Sequence, residues 1–325
     1  MKKYVKHIVT AIICFLAIVA LNFALPRLIP GDPVAYLTGF DEEEMAPEKY
    51  EYYYHALHLD ESIGKQFGYY LKSIFDGSLG YSYKQEAQVS KLIGEKVGYS
   101  LQITVPAAII SIVISLFWGL RSGLKKDKLF DRASTAVLIV QNTMPSFLIA
   151  LVLAIVFCVD LKWFPYSGLN GANVEAGTPE YFVDRIYHLI MPILAVVLAS
   201  LPAKYLLVRN TAAKFADDKS VSYAMQRGLS PIKIEFGYMF KNIAQPFIAM
   251  VGSTIGGCIG GSVLVESVFS INGIGGLLNS AVYTLDYPLM QGILFVTTLS
   301  IIVCVVSADI LCILINPAVR KRRDV

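Results

Sequence analysis

Charge is what this 325-residue chain has least of: 28 residues are Lys or Arg and 25 are Asp or Glu, 16% in all, against about a quarter in soluble domains. Histidine is held to four residues, tryptophan to two and cysteine to five. The low charge excludes an ordinary soluble enzyme and a disordered polyelectrolyte, and the low cysteine count excludes a disulfide scaffold. Cys14, Cys158, Cys258, Cys304 and Cys312 all fall in or beside apolar runs, where they serve as small hydrophobic residues. The chain also lacks a G-x-x-x-x-G-K-[ST] loop; Gly64-Lys65 is followed by glutamine, so no ATP site of that kind is expected. His7, His55, His58 and His188 are scattered, and none forms a nucleophile–base–acid pattern. His55 and His58 share a helical face, but with no third ligand in sequence they predict no metal site.

What is there is apolar: 55% of the residues are hydrophobic and the mean hydropathy is +0.56. Crossing about 30 Å of hydrocarbon takes roughly 20 apolar residues, and six runs meet that need, at 8–25, 101–120, 133–157, 186–208, 247–269 and 292–315. The first follows Lys2, Lys3 and Lys6 but ends in Pro26, Arg27 and Pro30 rather than a small-residue cleavage site, so it reads as a retained anchor. The pattern predicts an all-α integral membrane protein of six transmembrane helices.

Orientation follows from the basic residues, which stay on the cytoplasmic side. With the N-terminus inside, the inner segments hold 19 Lys and Arg, Lys204 among them, and 6 Asp and Glu; the outer segments hold 9 and 17. Both termini are thereby expected in the cytoplasm. Lys204 and Arg209, at the inner end of the fourth run, are expected to snorkel to that surface.

Two connections are too long for simple turns. The outer one, 28–100, carries the acidic run Asp41-Glu42-Glu43-Glu44, ten of the 19 tyrosines and a predicted helix around 66–75. It is expected to fold as a small outer domain. Its tyrosines suit a lipid headgroup belt or a protein-docking surface. The inner one, 209–246, reads as helix, turn and helix: Asp217-Asp218 precede a helix-compatible stretch at 220–227, Gly228 ends it, and Ser230-Pro231 begin another with proline early. Such an element, lying beneath the bilayer, can be pushed on.

Within the fifth run, Gly252, Gly256 and Gly260 recur every fourth residue, flanked by Ser253, Gly257 and Gly261. Rows of small residues let helix backbones approach in lipid. They serve packing within the chain, or a face on the translocation path or a partner subunit. Glu266 and Asp309 are the acids placed inside runs, each near an interface, where capping or pairing is expected.

The inner element Tyr223-Ala224-Met225-Gln226-Arg227-Gly228-Leu229-Ser230, with Lys241-Asn242-Ile243-Ala244-Gln245-Pro246, resembles the coupling loop of ABC-transporter permeases of the peptide/nickel importer family. The resemblance extends along nearly the whole chain. It includes Arg27-Leu28-Ile29-Pro30-Gly31-Asp32-Pro33, Gly77-Ser78-Leu79-Gly80-Tyr81-Ser82, Met144-Pro145-Ser146-Phe147, Val265-Glu266-Ser267-Val268-Phe269 and Asp286-Tyr287-Pro288. Departures stand at Ser222, where the loop usually has a charge, at Met225, at Asn272, at Leu285 and at Asn316-Pro317-Ala318.

The resemblance implies a non-enzymatic half of a translocation pore in a bacterial or archaeal cell membrane, importing oligopeptides or dipeptides by alternating access. Nickel or a metal chelate is the alternative cargo, and an ion-coupled secondary transporter the alternative class. Implied partners are a homologous second permease, two ATPase subunits that use ATP and Mg, and an extracytoplasmic substrate-binding protein; no nucleic acid and no cofactor of this chain are implied. Ser222, Tyr223, Ala224, Arg227, Gly228, Leu229 and Ser230 would couple to the ATPase. Gly252, Gly256, Gly257, Gly260, Gly261 and Glu266 would line the path or the permease interface, and Glu42, Glu43, Glu44, Tyr52 and Tyr53 would dock the binding protein.

Overall fold

The computed structural model describes residues 2–40, 45–172 and 174–315. Helix α1 (Lys2–Arg27) leads into short helices α2 (Pro33–Thr38) and α3 (Pro47–Ala56), then α4 (Ile63–Phe75) and a two-residue hairpin, β1 (Tyr81–Ser82) with β2 (Ala87–Gln88). Long helix α5 (Val89–Leu124) follows, then α6 (Leu129–Asn142), α7 (Ser146–Leu153) with its π-helical extension Ala154–Asp160, and α8 (Pro179–Ala213). The remaining elements are α9 (Lys219–Gln226), α10 (Pro231–Ile234), α11 (Phe240–Gly257), α12 (Val263–Val268), α13 (Ile274–Tyr283) and α14 (Tyr287–Ile315).

Among the described residues, four helical stretches are long and apolar enough to cross a bilayer: Val89–Leu124, Pro179–Ala213, Pro231–Val268 and Tyr287–Cys312. A fifth forms if α6 and the α7 stretch count as one span, but these meet at 96°. The uninterrupted run expected at 133–157 is thus broken. Pro145 disfavours helical geometry at the residue before it and has no N–H for the ladder, and the chain restarts there with Pro145 as the N-cap of α7. The run expected at 247–269 is broken too. Helix α11 ends at Gly257, a 3-10 turn covers Cys258–Gly260, and Gly261 takes φ +69°, a left-handed conformation open to glycine. Helix α5 begins twelve residues before the predicted run. The described apolar part of α1 runs from Phe15 to Arg27.

Glycine sets a close helix contact between α5 and α8. A Cβ on Gly119 would lie 2.7 Å from Val208 and one on Gly123 2.6 Å from Ala212, so α5 and α8 pack through a four-residue glycine repeat. One cluster, with Leu153, Leu189 and Phe269, fills the space between α5, α7, α8 and α12. A second, with Leu120, Val208, Met239 and Phe247, joins the far ends of α5 and α8 to α9, α10 and α11. A third, with Val89, Ile274 and Ile293, holds α13 and α14 on the start of α5. Outward faces stay apolar, as at Ile109, Val140, Val303 and Ile310, consistent with a surface solvated by lipid or covered by another subunit.

The hairpin is pinned to the start of α14 through a buried carboxylate. Ser82 Oγ donates to Asp286 Oδ2 at 2.5 Å, and the Leu289 N–H donates to Oδ1 at 3.2 Å. Burial pushes the Asp286 carboxyl above its ordinary value, and the Ser82 and Leu289 hydrogen bonds oppose that rise. An acid whose pKa is higher folded than unfolded stabilises the fold most below its unfolded value and loses that contribution as pH rises through its folded value. The stability advantage of wild type over Asp286→Asn is therefore expected to be greater near pH 4 than near pH 7. Thermal unfolding of both chains in detergent across that range checks this; a pH-independent difference contradicts it.

Candidate functional site

Helix α9 and its turn are built by local chemistry. The Asp218 carbonyl accepts from Val221 and Ser222 N–H groups at 3.0 and 2.9 Å and opens the helix. At its other end Gly228 has φ +70°; its N–H reaches the Met225 carbonyl at 2.9 Å, and the Leu229 N–H reaches the Ala224 carbonyl at 3.2 Å. This pair of bonds is a Schellman motif, which satisfies carbonyls left open by the helix end and needs a residue at ease in the left-handed region. Ser230 is then extended, and Pro231 starts α10, where its missing N–H costs nothing. The helix–glycine–helix reading of 220–231 is realised.

The helix has two faces. Val221 and Ala224 are buried in the cluster that includes Leu120, Val208, Ala212 and Ile234, with Leu229 packed against it. Tyr223 and Met225 are 63% and 44% exposed, and Gln226, Arg227 and Ser230 are exposed beside them while Ser222 is half-buried. Arg227 lies over the Tyr223 ring at 6.0 Å. An apolar floor thus fixes the element to the long helices and leaves an aromatic, a methionine and a cation facing outward, residue types enriched where proteins dock.

Ion pairs tie the element's flanks to α5 and to the turn that follows it. Lys126 Nζ lies 2.8 Å from Asp217 Oδ2, and Arg121 Nη1 3.1 Å from Glu235 Oε1. The Asp217 hydrogen bond raises the exposed Lys126 ammonium above its ordinary value. Behind them Asp131, fully buried, takes two hydrogen bonds from the Arg209 guanidinium, one from Nε at 2.8 Å. Ser122 Oγ donates to Asp131 Oδ1 at 2.7 Å and the Asp127 N–H to Oδ2 at 3.0 Å; Tyr205 Oη lies 2.6 Å from Ser122 Oγ. This knot joins α5, α6 and α8. Arg209 therefore does not snorkel freely, as the sequence suggested, because its partner lies inside the protein. The knot escaped sequence reading because Asp131 sits next to four basic residues and resembles a solvated loop; an acid on the apolar side of the α6 repeat was the available signal.

The second candidate region divides. Added Cβ atoms on Gly252, Gly256 and Gly260 would meet Ala308, Ile301 and Thr297 at 2.6 Å, so this row is the seam between α11 and α14 of this chain, the packing option, and is not a free face. Gly257 has open space around it. Gly261 belongs to a third structure, centred on Glu266. This fully buried carboxylate accepts from Ser100 Oγ at 2.8 Å and from the N–H groups of Ser262 and Gly275, each at 2.9 Å. A Cβ on Gly261 or Gly273 would strike the carboxylate oxygens. Glu266 thus fastens the broken end of α11, α12 and α13 onto α5, a pairing role reached without a cation.

The packing predicts a contrast between adjacent residues. Gly256→Ala forces its methyl against the Ile301 backbone and is expected to cost about 1–3 kcal/mol, whereas Gly257→Ala is expected to be neutral within about 0.5 kcal/mol. Thermal unfolding of the two variants in detergent measures both; equal effects contradict the seam.

On the far side, Tyr52 is 62% exposed and its ring lies 5.3 Å from that of half-buried Tyr53, which in turn meets Tyr83 of the hairpin. Glu42, Glu43 and Glu44 lie outside the described residues. His55 pairs with Asp60 at 2.9 Å and His58 stacks on Tyr69, so the two histidines turn to different neighbours. A cavity of about 290 Å³ opens between α4, the hairpin and the start of α14, lined by Arg27, Tyr69, Tyr83 and Tyr287 among others.

Residues 111–321 match the family described as binding-protein-dependent transport system inner membrane component, and residues 1–104 match its N-terminal companion, binding-prot-dependent transport system membrane comp, N-term. The chain is 32% identical to the di/tripeptide transport system permease protein DppB of Pseudomonas aeruginosa, over 95% of this chain and 96% of that protein. It is 29% identical to a putative peptide permease protein of Brucella suis, over 98% and 99%. With the dipeptide transport system permease protein DppB of Escherichia coli it shares 26% identity, over 95% and 96%.

Proposed function

The chain belongs to the family of binding-protein-dependent transport system inner membrane components, as an ABC-importer permease subunit, and on that premise we propose that it forms half of a peptide translocation pore worked from the α9 element. The relatives named for peptide and di/tripeptide transport support peptide as the cargo class. In this reading the pore comprises six spans, the bent α6–α7 pair counting as one and α1 as another, with both termini in the cytoplasm. The excess of Lys and Arg in the segments flanking α9 supports that orientation.

The observation that carries the proposal is the division of α9 into an apolar floor and an exposed Tyr223, Met225 and Arg227 face. Partner ATPases, using ATP and Mg, dock on Ser222, Tyr223, Arg227, Gly228 and Ser230, whereas Ala224 and Leu229, which the resemblance also implied, pack into the floor that holds the element. Their closure displaces α9. Because Asp131, Arg209, Arg121 and Glu235 tie the neighbouring helices together, the displacement passes to α5, α6 and α8 as rigid-body motion and exchanges inward- and outward-open states. A delivery protein docks on the outer tyrosine surface around Tyr52 and Tyr53 and on the acidic run of Glu42, Glu43 and Glu44.

Reconstitution with the second permease, the ATPases and the delivery protein tests the reading. Peptide uptake into proteoliposomes is expected only with ATP and the delivery protein together. Uptake by the chain alone, or uptake driven by an ion gradient, overturns it; ATP-dependent uptake of a metal chelate but not of peptide overturns the cargo class.

A further inference from the structure

Lys204 is the one cation of α8 whose position nothing so far explains. The residue lies on the face of α8 that turns inward and is 8% exposed, instead of reaching the inner surface as the sequence suggested. Its ammonium makes no hydrogen bond or ion pair among the described residues. Arg27, Arg121, Arg185 and Arg209 all find acceptors: Gln66 and the Phe23 carbonyl, Glu235, Gln102 and Asn170, and Asp131 respectively. The electrostatic neighbour of Lys204 is the thiol of Cys258, at the point where α11 gives way to the 3-10 turn and the span breaks. Cys258 is itself engaged, its Sγ with the Thr254 carbonyl at 3.3 Å and its carbonyl accepting from Thr104 Oγ1 at 2.9 Å, so it offers no counter-charge.

A lone ammonium among spans is expensive to hold and marks a substrate or ion path by default. The polar atoms both wholly sealed and unpartnered, among the described residues, are Asn22 Nδ2 and Tyr70 Oη. The ammonium of Lys204 is not one of them, so its tip is not wholly sealed although the residue is buried. We propose that Lys204 receives the C-terminal carboxylate of the peptide in transit and so selects cargo with a free carboxyl end. The inference rests on the peptide reading above. An unmodified linear peptide presents that carboxylate, and a desolvated ammonium–carboxylate hydrogen bond is among the stronger ones available.

The test uses the complete transporter in proteoliposomes with a dipeptide and its C-terminal amide. For each cargo the uptake of Lys204→Met is divided by that of wild type, so the preference of the delivery protein cancels. The carboxylate form is expected to fall about tenfold or more and the amide no more than about twofold, with Lys204→Arg restoring most carboxylate uptake. Equal falls for both cargoes, or none, overturn the inference.

A second measurement applies whatever the delivery protein accepts. Carbodiimide treatment of a peptide-loaded assembly halted before hydrolysis condenses an adjacent amine and carboxylate into an amide; the elements of water pass to the carbodiimide, which leaves as a urea. Mass spectrometry is expected to find the peptide on Lys204 Nζ. An amide to an acidic side chain of the second permease, or no adduct, overturns the inference. Failure of wild type to take up either peptide with ATP would instead remove the peptide reading itself.

Discussion

Replacing Asp131 with alanine is expected to destabilise the chain by about 3–5 kcal/mol, the cost of leaving a buried ion-pair partner uncompensated. Arg209 would lose both of its acceptor oxygens in the fully buried Asp131, and Ser122 and the Asp127 N–H would lose theirs. Asp131→Asn keeps the shape and some of the hydrogen bonds, so it is expected to cost less. The double change Asp131→Leu with Arg209→Met removes both charges together and is expected to regain much of the loss, since a buried pair is weak net stabilisation but costly to halve. Thermal unfolding in detergent of wild type, Asp131→Leu, Arg209→Met and the double change closes a double-mutant cycle. Additive effects of the single changes would show that the knot does not join α6 to α8 as the geometry indicates.

The second large effect falls on transport rather than stability. A Cβ at Gly228 meets nothing within 4 Å, but φ is +70° there, so an arginine fits spatially at a strain of about 1–2 kcal/mol. Gly228→Arg is therefore expected to insert and fold while placing a long cation on the face proposed for the ATPase. Uptake is expected to fall at least tenfold and copurification of the ATPase to weaken. Gly228→Asn, whose side chain tolerates the left-handed region, separates backbone strain from steric block and is expected to keep most uptake. Full transport by the arginine variant would remove α9 from the coupling role.

These two sites differ in how far the sequence disclosed them. Gly228 was legible because its signals are local: a helix-compatible stretch, a glycine and Ser230-Pro231 follow in order, and each acts on its own neighbours. The glycine row at 252, 256 and 260 was legible as a packing face, but not its partner, since apposition to Thr297, Ile301 and Ala308 is fixed by tertiary contacts. The breaks at Pro145 and Gly261 lay hidden under continuous hydropathy, which measures transfer to lipid and is blind to φ. Asp131 with Arg209, Glu266 with Ser100, and Ser82 with Asp286 join residues 78, 166 and 204 positions apart. Pairings at such separations leave no local trace. Lys204 was misread for a related reason: snorkelling follows from distance to the helix end, whereas the face a lysine occupies depends on what packs beside it.

The central claim is that α9 presents its exposed face to an ATPase in the cytoplasm. Labelling of Tyr223→Cys by a membrane-impermeant maleimide, in inside-out and right-side-out vesicles, with the unsubstituted chain as blank, tests it most directly. The account predicts labelling in inside-out vesicles alone, suppressed when the ATPases are bound. Labelling from the outer side, or labelling that the ATPases leave unchanged, contradicts it.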